Sequence, residues 1–222
     1  MQIMAVRWGI DDDSDPSVSH RAYWSGNLAA WDYVIGMKRR GVNIRVTANS
    51  YAQLGAESIA VREVIEMAAA EGILSVFAAG PQGVNQDLFS TFPGAFNLAS
   101  IINVTGSSQT DALANESTFG ASTIDLAAPG VNILSTSKAP DYETESGASV
   151  ACPQVAGAAA LLLSINSNLT ANEIKAALFG SVDQPSAMRG KLVTSGRLNV
   201  AQPPQDSQPR RTSRSESHSI VP

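Results

Sequence analysis

Residues 146–164 read SGASVACPQVAGAAALLLS. A Gly-Ala-Ser turn opens this stretch, and no charged side chain follows as far as Ser164. Such a run predicts a helix that is covered on nearly all sides. The small residues at positions 156–160 favour a close approach of the helix backbone to a sheet. Pro153 falls near the first turn, where a missing N–H costs little because those donors have no helical partner.

Ser149 lies at the start of this predicted helix. The free N–H groups and the positive end of the helix dipole favour negative charge there, as on the oxygen of an attacked carbonyl. Ser149 is therefore a candidate catalytic nucleophile. The alternative is a structural N-cap, a role that serine fills well without any chemistry.

The same stretch resembles the catalytic-serine motif of the subtilisin-like serine peptidases, G-T-S-M-A-x-P-H-V-A-G. The matching residues are Gly147, Ser149, Ala151, Pro153, Val155, Ala156 and Gly157, whereas Ala148, Val150 and Gln154 depart from the motif. Segments such as AAEGILSVFAAG, IINVTG and STFGASTIDLAAPGVNILST follow the family in the same order, so the resemblance spans roughly residues 1–200. It implies a three-layer α/β/α fold around a parallel sheet, peptide-bond hydrolysis through an acyl-enzyme on Ser149, peptide or protein substrates, and no cofactor.

The resemblance also implies a catalytic Asp in a D-[ST]-G motif and a catalytic His in an H-G-T-H-V-A-G helix. Neither motif occurs in this sequence. The only histidines, His20 and His218, lie in unrelated contexts, and we interpret both as surface residues. In the family the Asp-bearing strand lies inside the sheet. We therefore expect a sheet that is incomplete at the N-terminus, with self-association or a partner chain to complete it.

The resemblance places an oxyanion-binding Asn after the strand that ends in Ala78, Ala79 and Gly80, but this chain has Pro81 there. Proline offers no donor from its side chain or its backbone. The neighbouring Gln82 reaches the oxyanion only if the turn shifts. The strand end 78–80 is expected to form one wall of the substrate groove.

The other wall is expected at Ser50, Tyr51 and Ala52, because ligands bind beyond the carboxyl ends of strands in open α/β sheets. The family usually has S-x-G-G here. Ala52 and Gln53 stand where the resemblance puts the glycines, and each added Cβ narrows the approach of a substrate backbone.

Three interpretations remain open. The first is a serine endopeptidase of which this sequence holds only the later portion. The second is a pseudopeptidase that binds peptides or regulates, which Pro81 and Gln154 favour because truncation cannot produce them. The third is a fragment without independent activity. Under each of them we predict that this polypeptide alone is inactive.

The rest of the chain alternates apolar strands and amphipathic helices, which is typical of βαβ units. The predicted strands are Met1–Arg7, Val42–Thr47, Ile73–Ala78, Ile101–Val104 and Ile124–Leu126. The predicted helices have apolar faces at Leu28/Trp31/Val34/Ile35 and Val61/Val64/Ile65/Ala68, and a third, Ala171–Phe179, begins with a Thr170/Glu173 capping box. We predict one domain over residues 1–201 and a disordered tail over 202–222.

Composition excludes several other functions. The 222-residue chain has a net charge of −5, which gives no basic surface for nucleic acid. It also contains no uninterrupted apolar run that approaches the ~20 residues of a membrane helix. The acidic loop from Asp11 to Asp15 lacks a metal-ligand pattern and is interpreted as a solvated loop. Cys152, the single cysteine, is expected to be buried. No secretion signal is visible in residues 1–25, although members of the family are mostly secreted.

Overall fold

The computed structural model describes residues 1–10, 21–55, 57–80, 83–137 and 141–201. Its helices are α1 (Trp24–Arg39), α2 (Ile59–Ala70), α3 (Ala148–Ile165) and α4 (Ala171–Gly180), with a short 3-10 helix at Ser186–Met188. Its strands are β1 (Gly9–Ile10), β2 (Arg21–Ala22), β3 (Val46–Asn49), β4 (Gln53–Leu54), β5 (Leu74–Ala78), β6 (Thr91–Phe92), β7 (Ile101–Ser107), β8 (Leu126–Pro129), β9 (Ile133–Thr136) and β10 (Tyr142–Glu145). The acidic loop Asp11–Asp15 and the predicted tail lie outside the described residues.

The central sheet has four strands in the order β3-β5-β7-β8, and every neighbouring pair is parallel. The register aligns Val46 with Leu74 and Val104 with Leu126. Three antiparallel pairs, β1–β2, β4–β6 and β9–β10, lie outside this sheet. The predicted strands at Ile73–Ala78 and Ile101–Val104 are confirmed, and both strands are buried along their whole length.

Helices cover both faces of the sheet. Alternate residues of β5 point to opposite faces, so that Leu74 and Val76 pack with α3 and α4, whereas Phe77 packs with α1 and α2. The two hydrophobic clusters are therefore separated by the sheet itself. This arrangement confirms the predicted three-layer α/β/α fold.

The predicted helical faces are also confirmed. Helix α1 buries Trp31, Val34 and Ile35, and α2 buries Val61, Ile65 and Ala68. The capping box of α4 has both of its hydrogen bonds, since the Thr170 hydroxyl accepts from the Glu173 N–H and the Glu173 carboxylate accepts from the Thr170 N–H.

Three strand predictions need correction. Residues 1–7 form no strand, since they take part in no strand pair of the described residues, and Met1 and Ile3 are exposed. The strand expected from Val42 begins only at Val46, since the Val42 N–H still bonds to the Met37 carbonyl in the turn that ends α1. The strand expected at Ile124 begins at Leu126.

Helix α3 is less covered than its sequence suggests. It buries Ala151, Cys152, Val155, Ala158 and Ala159 against the sheet, but Leu161 and Ile165 are 58% and 84% exposed. A Cβ added at Gly157 would meet nothing within 4 Å, so this glycine makes no close backbone approach. By length and composition α3 is the one helix of the described residues that is apolar enough to cross a membrane, yet it packs as a core helix here.

The two edges of the sheet differ. The outer side of β8 is closed by residues 196–198, because the Ala127 N–H donates to the Gly196 carbonyl and the Leu198 N–H donates to the Ala127 carbonyl, at 2.9 and 2.7 Å. Within the described residues, β3 pairs only with β5. The prediction that the sheet is incomplete therefore falls on the β3 edge.

Candidate active site at the carboxyl edge of the sheet

Ser149 is the second residue of α3 and is exposed at the carboxyl edge of the sheet. Ser50 follows the last residue of β3 at the same edge. The Ser50 hydroxyl donates to the Ser149 carbonyl at 2.8 Å, and the Ser149 hydroxyl donates to the Ser50 carbonyl at 3.4 Å. The structure thus brings the candidate nucleophile against one of the predicted groove residues, 99 positions away in the chain.

The N-cap interpretation of Ser149 is wrong. The N-cap residue of α3 is Gly147, and no side chain caps this helix. No side chain therefore occupies the N–H groups at the start of α3, and a helix start of this kind favours negative charge. Gly147 has φ 137° and ψ 173°, a backbone conformation that is essentially restricted to glycine.

Three glycines meet at the turn before Ser149, and of these the sequence analysis named Gly147 but missed Gly106 and Gly130. The Gly147 N–H donates to the Gly130 carbonyl at 2.8 Å, just beyond β8. A Cβ on Gly130 would lie 2.6 Å from the Gly106 Cα and 3.1 Å from the Gly147 carbonyl oxygen. Three backbones meet here without side chains between them. Gly106 lies one residue before the end of β7, Gly130 directly follows β8, and Gly147 is the N-cap of α3, and this position at the ends of elements is the signal that sequence reasoning had available.

Pro153 lies further into α3 than expected, as its sixth residue. At this position its missing N–H removes the α-helical bond to the Ser149 carbonyl, which is four residues earlier. The Ser50 hydroxyl bonds to that carbonyl instead. The side chain that follows the end of β3 therefore supplies the hydrogen bond that Pro153 cannot make. The sequence analysis had instead expected the missing N–H to cost little because of its position near the helix start.

Gln154, which stands where the family motif has His, ties α3 to β8. Its side-chain amide donates to the Pro129 carbonyl at 2.7 Å and to the Val150 carbonyl at 2.9 Å. The first turn of α3 is thus bonded on both sides, to the end of β3 through Ser50 and to the end of β8 through Gln154.

Tyr51 turns toward the core instead of a groove. Its hydroxyl accepts from the Asn27 side chain at 2.9 Å, and its ring packs edge-on against Trp8 and Phe77. Burial raises the pKa of the Tyr51 phenol, against hydrogen bonds from Asn27 and Trp31 that lower it. Only the backbone of Tyr51 remains for the predicted groove, beside the half-buried Ala52.

Ala78, Ala79 and Gly80 are buried at the carboxyl end of β5. The Ala79 N–H donates to the Val104 carbonyl, and the Gly80 N–H donates to the Thr91 hydroxyl. The two alanine side chains therefore cannot line an open groove, and a groove role for this backbone stays a prediction.

Pro81, Gln82, His20 and His218 lie outside the described residues. The part of the chain that the structure describes therefore contains no histidine near Ser149 or elsewhere. Among these same residues no three His, Cys, Asp or Glu side chains group as metal ligands.

Cys152 is buried as predicted, with its thiol donating to the Val76 carbonyl at 3.4 Å. Burial raises the pKa of the Cys152 thiol to about 11, although hydrogen bonds with the Asn49 backbone and the Ser50 side chain oppose the shift. The thiol is therefore neutral at physiological pH and is a packing residue three positions beyond Ser149.

The structure is that of an α/β/α protein with a serine exposed at an uncapped helix start, at the carboxyl edge of its parallel sheet. The chain belongs to the subtilase family, whose model matches residues 14–211.

The chain is also similar to two proteins that are named as proteases. The chain is 34% identical over 146 residues to alkaline serine exoprotease A of Vibrio alginolyticus, covering 65% of this chain and 26% of that protein. It is 31% identical over 182 residues to the subtilisin-like serine protease Pen c 1 of Penicillium citrinum, covering 79% and 44%. The chain thus spans less than half the length of these two relatives.

Solved structures share the fold. A cold-adapted subtilisin-like serine proteinase superposes with a TM-score of 0.66 at 28% identity, over 81% of this chain and 60% of that one. The prenylagaramide maturation protease PagA superposes with a TM-score of 0.69 at 22% identity, over 82% and 66%. The second likeness concerns the fold alone.

Proposed function

We propose that this chain is a subtilisin-like serine endopeptidase domain that receives peptide or protein substrates at the carboxyl edge of its sheet, and that this polypeptide alone does not hydrolyse them. The observation that carries the peptidase assignment is the exposed Ser149 at the uncapped start of α3, bonded to Ser50 at the end of β3. The family match supports it.

The predicted inactivity follows from what acyl transfer requires. A serine needs a base to accept its proton, a group that orients the base, and donors for the oxyanion. The hydroxyl of Ser149 donates to a backbone carbonyl, which cannot take its proton as a base does. Loss of one oxyanion donor, as at Pro81, costs about 10²–10³ in turnover, and loss of the base costs on the order of 10⁶.

Activity is tested with the purified 222-residue chain and a Ser149→Ala control. Hydrolysis of unfolded casein by the two proteins should be equal, and a fluorophosphonate probe should label neither. Labelling of the parent chain that disappears in Ser149→Ala would overturn the proposed inactivity while supporting the nucleophile.

A second candidate function is peptide binding without hydrolysis. Pro81 and Gln154 favour it because both replace family residues at the site. An accessible strand also favours it. Within the described residues β4 pairs only with β6, and both Gln53 and Leu54 are exposed, so an extended peptide has a strand to add to.

A hybrid separates the two candidates. The Asp- and His-bearing segments of an active relative are fused ahead of this chain, with and without Pro81→Asn. An endopeptidase domain should gain activity that rises further with Pro81→Asn. No turnover even with the reversion favours the binding module, whereas near-normal turnover without it excludes that module.

We also propose that another strand completes the sheet by pairing with the outer edge of β3. The opposite edge, at β8, is closed by residues 196–198, whereas within the described residues β3 pairs only with β5. We expect the isolated chain to self-associate or to unfold at low urea. A monodisperse monomer in size-exclusion chromatography, with one cooperative transition and about 5 kcal/mol of stability or more, would contradict this.

A further inference from the structure

Residues 147–150, called here the nucleophile turn, form the start of α3, where Pro153 removes one helical hydrogen bond. Proline at position 153 supplies no N–H to the Ser149 carbonyl, and its ring crowds that carbonyl. An unpaired carbonyl is costly when it is shielded from water. This carbonyl is met by the Ser50 hydroxyl at 2.8 Å, the shorter of the two Ser50–Ser149 bonds.

The next carbonyl along the helix also receives a side-chain donor. The Gln154 amide bonds to the Val150 carbonyl and, through its second N–H, to the Pro129 carbonyl at the end of β8. Two successive carbonyls of the nucleophile turn are thus tied to two different strands of the sheet, β3 and β8, which are its outermost strands.

We propose that Ser50 and Gln154 are positioning residues, which hold the nucleophile turn between the ends of β3 and β8. Ser50 does so in place of the helical hydrogen bond that Pro153 cannot make, and Gln154 does so by linking the Val150 carbonyl to the end of β8. The inference rests on the proposed role of Ser149. It gives Gln154 a function of its own in this chain, where comparison with the family motif alone treats it as a sign of degeneration.

The test uses hydrogen–deuterium exchange on the full 222-residue chain, read by mass spectrometry on peptides from the first two turns of α3. Ser50→Val and Ser50→Thr are a matched pair, because they have the same shape and differ in the hydroxyl. Ser50→Val should speed exchange there roughly two- to tenfold, the worth of one neutral hydrogen bond. Ser50→Thr should stay within twofold of the parent, and α4 should not change in either variant.

Gln154 is tested by Gln154→Met, which keeps the length of the side chain and removes its donors. The matched control is Gln184→Met, since the Gln184 amide also donates to a backbone carbonyl but to that of Thr194 instead of one in α3. Gln154→Met should speed exchange in the nucleophile turn by a similar factor, whereas Gln184→Met should leave it unchanged. This arm also keeps the proposal testable if Ser50→Val fails to fold.

Pro153→Ala provides the decisive background, because alanine restores an N–H that can bond to the Ser149 carbonyl. In that background Ser50→Val should change exchange by less than twofold. An equal effect with and without Pro153, or equal effects of Ser50→Val and Ser50→Thr, would overturn the proposal. No step requires turnover, so an inactive chain leaves this test intact, and failure here leaves the peptidase assignment standing.

Discussion

Replacing Gly130 by alanine tests whether the three-glycine contact holds the site together. The added Cβ would lie 2.6 Å from the Gly106 Cα and 3.1 Å from the Gly147 carbonyl oxygen. Carbon atoms pack at about 3.5–4.0 Å, so the backbones must separate by about 1 Å. Both neighbours are backbone, and no flexible side chain can move aside. We expect a loss of about 1–3 kcal/mol, the usual cost of overpacking.

The control is Gly157→Ala, the same chemical change in the middle of α3. Nothing lies within 4 Å of a Cβ there, so alanine should stabilise the helix by about 0.5–1 kcal/mol. Urea unfolding followed by circular dichroism measures both variants, which should differ by about 1.5–4 kcal/mol. Equal stability of the two variants, or a gain in Gly130→Ala, would refute the packing argument.

Three further predictions concern other parts of the molecule. Thr170→Ala should cost about 1 kcal/mol in a urea melt because the α4 capping box is lost, whereas Thr170→Ser should cost little; similar losses in both would contradict the cap. Burial raises the pKa of the Asp87 carboxyl, but hydrogen bonds from Thr123, Ser122 and Ala121 outweigh it and lower the pKa overall. Asp87 therefore contributes stability above about pH 4, and this stability is lost as the pH falls through the pKa of Asp87 in the folded state. The unfolding free energy of Asp87→Asn should therefore fall less steeply on acidification than that of the parent chain. Parallel curves of unfolding free energy against pH for the two proteins would contradict this. The Cys152 thiol, with a pKa of about 11, should resist iodoacetamide at pH 8 in the folded chain and react in urea, and rapid labelling of native protein would contradict its burial.

The elements that the sequence predicts well are those with local or periodic signals. Helix α4 has its capping box within four residues, and β5 is an apolar run that only the buried Ser75 interrupts. The motif around Ser149 predicted both the helix and the family. These signals are enough to predict the fold class, because alternating strands and amphipathic helices have few ways to bury their apolar faces.

The parts that sequence could not supply depend on contacts between distant positions. Nothing in the residues around Ser50 indicates that its hydroxyl meets a carbonyl 99 positions later. In the sequence, Gln154 is only a departure from the family motif, and its contact with β8 becomes apparent only from its hydrogen bond to the Pro129 carbonyl in the structure. The prediction of a strand at residues 1–7 was wrong because apolar alternation indicates the two faces of a strand but does not show which neighbouring strand it pairs with.

The closure of β8 by residues 196–198 has a consequence for synthesis on the ribosome. Chains emerge from the N-terminal side, so β3, β5, β7 and β8 are all available well before the residues that seal the β8 edge. For the time needed to add the intervening residues, the β8 edge of the nascent sheet is open in addition to the β3 edge, which pairs only with β5 within the described residues. Exposed parallel edges invite pairing with other chains. We therefore expect a chaperone that shields nascent chains to matter most in the interval after β8 has emerged from the ribosome and before residues 196–198 have emerged.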